Sequence, residues 1–205
     1  MCNEVVTVTC SLFGWILSAF AAFSCFFIEG KFLDGSFGSS SIGVGFLGIS
    51  TWRYGSFYSH GSWCKSWESY SNIIEFMEGD LRDSTWTAAY AFAVIAFCLG
   101  FFAVVFALCS GRKGGACLSA SLFFVTLCQG LSLLVFSSDV VKVIEANGVK
   151  LGISFGAGCS IAAIILWFFA AVSAAATGKN DDGDRDASRE ELEEPLVAND
   201  EAEAA

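Results

Sequence analysis

The chain has 205 residues, of which 55% are apolar and only 16% are charged, and its formal net charge is −10. A typical soluble domain carries about 25% charged residues, so this composition argues against an ordinary soluble protein. Eleven acidic residues and only three basic ones lie in residues 179–205. Because no basic patch is present to neutralise phosphates, nucleic acid is not an expected partner.

Four long stretches without Asp, Glu, Lys or Arg predict an all-α membrane protein, built as a bundle of four transmembrane helices. They cover residues 5–28, 84–111, 114–138 and 151–178, and each exceeds the roughly 20 apolar residues needed to cross a bilayer. We place the spans at about 5–28, 85–110, 114–138 and 151–177, within a membrane domain of residues 1–178. The first stretch is longer than the roughly 7–15-residue core of a signal peptide, which favours an uncleaved anchor.

The first loop, residues 29–83, is predicted to hold a small β-sheet followed by a short helix. Residues 39–50 and 51–58 are rich in β-branched and aromatic side chains separated by glycines, which is typical of short strands. From residue 67 onward, apolar side chains recur every three or four residues, which is a helical period: Trp67, Tyr70, Ile74, Met77 and Leu81. Five aromatic residues of this loop form the predicted recognition surface: Trp52, Tyr54, Trp63, Trp67 and Tyr70.

Cys64 lies in the first loop, which holds no second cysteine to pair with it. An exported loop lies in an oxidising compartment, where disulfides form. Cys25, near the end of the first span, is the candidate partner, although the sequence does not give the Cα separation that bridging requires. Three alternatives therefore stand: a disulfide between Cys25 and Cys64, a bridge between two copies, and a free or lipidated thiol.

The link between the second and third spans predicts the orientation of the chain. It reads SGRKGGA (110–116) and carries Arg112 and Lys113 without an acidic residue, and short loops rich in Lys and Arg stay in the cytoplasm. Both termini are then cytoplasmic, and the acidic, aromatic-free residues 179–205 are predicted to be a disordered tail. Cys109 and Cys117 flank the link, a juxtamembrane position typical of palmitoylation.

Small side chains at helical spacing predict how the spans pack, because lipid gives helices no hydrophobic reason to associate. The second span carries six of them at intervals of four and three: Ala89, Ala93, Ala96, Gly100, Ala103 and Ala107. The first and fourth spans carry three each at intervals of four: Gly14, Ser18 and Ala22, then Gly152, Gly156 and Ser160. A tight single-chain bundle is the simpler interpretation, and a dimer interface is the alternative.

Catalytic and metal-binding chemistry is not predicted. The spans contain no ionisable side chain other than Cys and Tyr, whereas carriers, proton relays and voltage sensors place Asp, Glu, His or Arg within the membrane. The single histidine, His60, has no matching acidic motif, and no C-x-x-C pair is present. Neither a general base nor a zinc site is therefore indicated, and we expect no enzyme activity, no cofactor and no small-molecule substrate.

Two motifs give the chain a resemblance to a known superfamily. GSWC (61–64) lies in the first loop, and DLRDSTWTAAYAF (80–92) places Arg82 just before the second span. With its large first loop and tight basic turn, the chain resembles the claudin and peripheral-myelin-protein superfamily over residues 1–178. It departs from that pattern because a second loop cysteine is missing, Trp63 directly precedes Cys64, and the tail ends in EAEAA instead of a ligand for PDZ domains. It resembles still more closely uncharacterised four-span proteins of diatoms and other stramenopiles, which implies the fold and no activity.

The sequence thus predicts an integral, multi-pass membrane protein that organises or contacts other membrane proteins or copies of itself. Its surroundings are the lipid bilayer of the plasma membrane or an endomembrane, and the aromatic loop is its expected recognition surface. The alternative is a channel-forming or channel-modulating protein. Its first loop carries seven acidic and four basic residues, a balance that would favour cations.

Overall fold

The computed structural model of the chain describes residues 2–32, 40–53, 65–66, 83–109, 115–146 and 148–177. These residues are mostly helical, and four helical segments are long and apolar enough to cross a membrane: Glu4–Phe23, Ser84–Cys109, Gly115–Ala146 and Phe155–Thr177. The helices are α1 (Cys2–Phe23), α2 (Ser84–Cys109), α3 (Gly115–Leu131), α4 (Asp139–Ala146) and α5 (Phe155–Thr177).

The third segment changes its helical geometry along its length. A 3₁₀ turn, Ser132–Ser137, follows α3 directly and leads through Ser138 into α4. The hydroxyls of Ser132 and Ser138 donate to the carbonyls three residues earlier, of Gln129 and Val135, both at 2.7 Å. Such serine-to-backbone bonds compete with the regular helical ladder, and they accompany the tighter turn here.

A five-stranded antiparallel sheet covers one end of the bundle. Its strands are β1 (Ile28–Phe32), β2 (Ser40–Val44), β3 (Gly48–Arg53), β4 (Lys65–Ser66) and β5 (Val149–Ile153), in the order β4-β3-β2-β1-β5. The sequence pattern predicted strands only within residues 39–58, so β1, β4 and β5 were not predicted. The predicted helix after residue 67 lies outside the described residues.

The fourth span was predicted to begin at residue 151, but α5 begins at Phe155 and β5 occupies residues 149–153. The stretch from Leu151 to Phe155 is uncharged and largely apolar. Hydropathy alone does not distinguish a strand from a helical extension in such a run.

Buried apolar side chains form two clusters, one at each end of the bundle. The sheet-side core joins the sheet to α1, α2, the 3₁₀ turn, α4 and α5, and its large members include Phe27, Ile28, Val44, Phe46 and Trp86. The link-side core lies towards the α2–α3 link, with Leu118, Leu122, Val125 and Val104 packed near Trp167. Alanines fill most of the remaining positions in both cores.

Candidate functional site

The sheet brings together two parts of the chain that are far apart in the sequence. β1 pairs with β2 on one side and with β5 on the other, in a register that runs from Ile28 opposite Ile153 to Phe32 opposite Val149. Of the predicted recognition residues, Trp52 lies in β3 opposite Ser41. Tyr54, Trp63, Trp67 and Tyr70 lie outside the described residues. The sheet that contains Trp52 is therefore built from both the first loop and the segment before α5.

The chain between α1 and β1 is held closely by the β2–β3 hairpin and by the start of α5. The amide of Phe27 donates to the carbonyl of Val44 at 3.0 Å, and the amide of Gly156 donates to the carbonyl of Phe26 at 2.7 Å. A Cβ atom on Gly45 would collide with the carbonyl oxygen of Ser24 and the backbone of Cys25. Side chains at Gly45 would therefore force the hairpin away from this junction.

Cys25 lies in that junction, is 6% exposed and is disulfide-bonded. A free thiol is thereby ruled out for Cys25. Its predicted partner, Cys64, lies outside the described residues. The other cysteines whose side chains are described are free: Cys10, Cys98, Cys109, Cys117, Cys128 and Cys159.

Asp83 contacts the first turns of two helices with one carboxylate. Its Oδ1 accepts from the amide of Trp86 at 2.8 Å, and its Oδ2 accepts from the amide of Asp139 at 3.1 Å. Partial burial acts to raise the pKa of Asp83, but these backbone hydrogen bonds outweigh it, so the pKa lies below its usual range. The sequence Asp-Ser-Thr-Trp before a long apolar run is a recognisable N-cap signal. The hydrogen bond from α4 could not be predicted from the sequence, because it depends on the tertiary structure.

Trp167 occupies the middle of the bundle and is fully buried. Its indole Nε1 donates to the hydroxyl of Ser18 at 3.1 Å, and that hydroxyl donates to the carbonyl of Gly14 at 2.9 Å. Cβ atoms on Gly14 and Gly100 would lie 3.1 and 2.8 Å from the indole ring. Glycine in α1 and α2 thus leaves room for one large side chain from α5.

The small residues predicted to pack the helices face the interior, with one exception. Ala89, Ala93, Ala96, Gly100 and Ala103 are buried, as are Gly156 and Ser160, and Ala107 is half-buried. Gly152 does not belong to a helical ladder, because it lies in β5, pairs with Glu29 and is exposed.

A small polar cluster lies between α3, the 3₁₀ turn and α5. Gln129 donates through Nε2 to the hydroxyl of Ser160 at 2.8 Å, and the hydroxyls of Ser160 and Ser132 are 3.1 Å apart. All three side chains are fully buried, and Gln129 Oε1 has no hydrogen-bond partner among the described residues. Amide and hydroxyl groups of this kind connect helices in apolar surroundings.

Cys109 and Cys117, the predicted palmitoylation sites, are the last residue of α2 and the third residue of α3. Both are exposed and free. They line one cleft between the two helices, with a volume of about 750 Å³. The sequence indicated that the two cysteines flank the link, but it gave no sign of the cleft.

Within the described ranges, no three His, Cys, Asp or Glu side chains group closely enough to hold a metal ion. His60 falls outside those ranges. No protein-family model and no curated protein matches the chain. The resemblance to the claudin superfamily therefore stays a prediction.

Proposed function

We propose that this chain is a multi-pass membrane protein that organises or contacts other membrane proteins, or copies of itself, through the surface built on its sheet. The observation that carries the proposal is the pairing of β1 with both β2 and β5. This pairing makes a single extended surface from two segments at one end of the bundle. Aromatic residues such as Trp52 in the adjoining strands are enriched in protein interfaces.

The packing of the bundle supports a contact protein over a pore through a single chain. In the sheet-side core the ring of Phe46 lies 4.8 Å from that of Phe27 and 5.6 Å from that of Trp86, measured between centroids. The buried polar side chains of the described residues are Thr, Ser and Gln only. Selectivity filters use rings of carbonyls or charged side chains, and neither feature is found in the described interior.

The proposal places the sheet on the outer or lumenal side and the α2–α3 link in the cytoplasm. Arg112 and Lys113 support that orientation, and the disulfide at Cys25 favours an oxidising compartment at the sheet end. Cys2 lies at the other end of the 22-residue helix α1, about 33 Å away by the helical rise. With the other described cysteines free, Cys64 is the partner we propose for Cys25.

Site-specific photo-crosslinking in the native membrane tests the proposal. A benzophenone amino acid at Trp52 is expected to give a reproducible adduct with another membrane protein or a second copy. The same probe at Phe169, which is 55% exposed on α5, is the lipid-facing control. Adducts with lipid alone at both positions would contradict the proposal, as would ion conduction by the purified protein in a planar bilayer.

A further inference from the structure

The cleft between α2 and α3 is apolar along its length. Leu99, Phe102 and Phe106 line it from α2, and Phe124 and Val125 line it from α3. The one hydroxyl in its lining belongs to Ser121, and it donates to the carbonyl of Cys117 at 3.0 Å. The hydroxyl is thus satisfied within its own helix, and the cleft offers an occupant only apolar surface and the two thiols.

The depth of the cleft matches one leaflet of a bilayer. Leu99 and Cys109 both line it, and ten residues of α-helix separate them by about 15 Å. Half of the roughly 30 Å hydrocarbon core of a bilayer is the same distance. An acyl chain that begins at the cytoplasmic surface therefore has the length to fill the cleft down to the midplane.

The two thiols stand at the surface end of the cleft, at the start of this path. In an α-helix the Cα–Cβ bond tilts toward the N-terminus. The bond of Cys109, the last residue of α2, therefore points along the cleft into the bilayer, whereas that of Cys117 points back toward the surface. A chain attached to Cys109 enters the cleft without reversing its direction.

We propose that Cys109 carries a long-chain acyl group as a thioester and that this chain lies in the cleft between α2 and α3, with Cys117 as a second acceptor. The inference rests on the cytoplasmic position of the link and not on any partner of the sheet. Four spanning helices already hold the protein in the membrane, and a single acyl chain would add only marginal membrane binding. Anchoring is therefore not the role of the chain. Here the chain supplies neighbours to the side chains that line the cleft, because lining atoms without neighbours lose dispersion energy.

The attachment is an acyl exchange that needs no oxidant or reductant. The Cys109 thiolate attacks the thioester carbonyl of a long-chain acyl-coenzyme A. A new sulfur–carbon bond forms as the bond to the coenzyme A sulfur breaks, and coenzyme A leaves as the thiolate and takes up the proton. The donor is the cellular acyl-coenzyme A pool, and a membrane acyltransferase catalyses the transfer.

The first test measures thioester content on full-length protein from its native membrane, by hydroxylamine-dependent mass tagging of cysteines. We expect one or two tags on the wild type, a reduced number in C109S, and none in C109S/C117S. C98S is the matched control, because Cys98 is a free, exposed cysteine of the same helix that does not line the cleft. A wild type without hydroxylamine-dependent tags would overturn the proposal.

The second test locates the chain by metabolic labelling with a fatty acid that carries a diazirine at its terminal carbon. After irradiation, adducts are expected on cleft residues near the midplane, such as Leu99 and Val125. A120F narrows the cleft and should lower the yield of these adducts severalfold while the thioester persists. A176F, at an exposed position of α5 away from the cleft, should leave the yield unchanged.

The remaining outcomes distinguish a thioester-linked acyl chain from a free lipid, and they distinguish this proposal from the proposed function. If the thioester is present but adducts form only on lipid, the proposal that the acyl chain lies in the cleft is overturned. Cleft adducts that persist in C109S/C117S would show a free lipid in place of a thioester. Crosslinking from Trp52 is measured on the same double variant, so a failure of the acyl proposal is distinguishable from a failure of the proposed function.

Discussion

The two ends of the bundle are built from similar helices but are closed differently. At the sheet end, aromatic rings from the α1–β1 junction, the β2–β3 turn and α2 fill the space between the helices: Phe27, Phe46, Trp86 and Tyr90. At the link end, an apolar cleft lies between α2 and α3, and core members such as Ala103 and Val125 line it. Small residues allow the helices to approach at both ends. At the sheet end, the sheet and the aromatic side chains beneath it also fill the space between the helices.

Among substitutions in the two cores, W167A is expected to cause the largest loss in the free energy of unfolding. The side chain is fully buried between Gly14 and Gly100, so its loss leaves a cavity that two helical backbones cannot easily fill. We expect a loss of about 4 kcal/mol in the free energy of unfolding, measured by SDS titration in mixed micelles. F169A removes a lipid-facing ring and is the control. A loss no greater than that of F169A would contradict the central position of Trp167.

A side chain at Gly45 tests the closure of the sheet end. The clash in G45V is with backbone atoms of Ser24 and Cys25, so no rotamer change relieves it. We expect a loss of about 3 kcal/mol in the free energy of unfolding, at the upper end for overpacking. G158V is the control, because no atom lies within 4 Å of a Cβ at Gly158. Equal stability of the two variants would mean that the hairpin does not press on the α1–β1 junction.

The helices could be predicted from the sequence, whereas the strand pairing that covers the sheet end could not. Charge-free runs indicate α2 almost to the residue, because a spanning helix must satisfy its own backbone and tolerates few charges. The last three residues of β5 lie in such a run, where Leu151 and Ile153 are as compatible with a helix as with a strand. Its pairing with β1 joins Ile28 to Ile153, a contact across more than a hundred residues that no local pattern encodes.

The same limit applies to the candidate sites. The positions of Cys109 and Cys117 beside a basic link are legible in the sequence, because lipidation follows membrane boundaries. The cleft beside them depends on how α2 and α3 pack against each other, which no local pattern in the sequence encodes. Likewise the N-cap role of Asp83 is local, but its second hydrogen bond, to Asp139, requires α4 to end up beside α2.

Asp83 allows a pH test confined to the sheet end. Its pKa in the folded protein lies below the ordinary value of about 3.8. The ionised carboxylate therefore stabilises the fold above that ordinary value, and the contribution is lost as the pH falls through the lower folded pKa. D83A is expected to cost about 1 kcal/mol near neutral pH, as for other N-caps. In SDS titrations between neutral and acid pH, the free energy of unfolding of the wild type should approach that of D83A as the pH falls. A difference that stays constant with pH would contradict a stabilising role of the ionised Asp83 carboxylate.

The smallest effect is expected from the polar cluster between α3 and α5. Gln129 Nε2 bonds to Ser160, while Oε1 of the same amide is unpaired among the described residues, so the amide gains one hydrogen bond and leaves one acceptor unsatisfied. A double-mutant cycle with Q129M and S160A should give a coupling of about 0.6 kcal/mol, the average for such bonds in membranes. S121A, which removes a hydroxyl bonded within its own helix, should show no coupling to Q129M. A coupling above about 2 kcal/mol would exceed the range for such bonds and would indicate that a further group, such as a buried water on Oε1, completes the cluster.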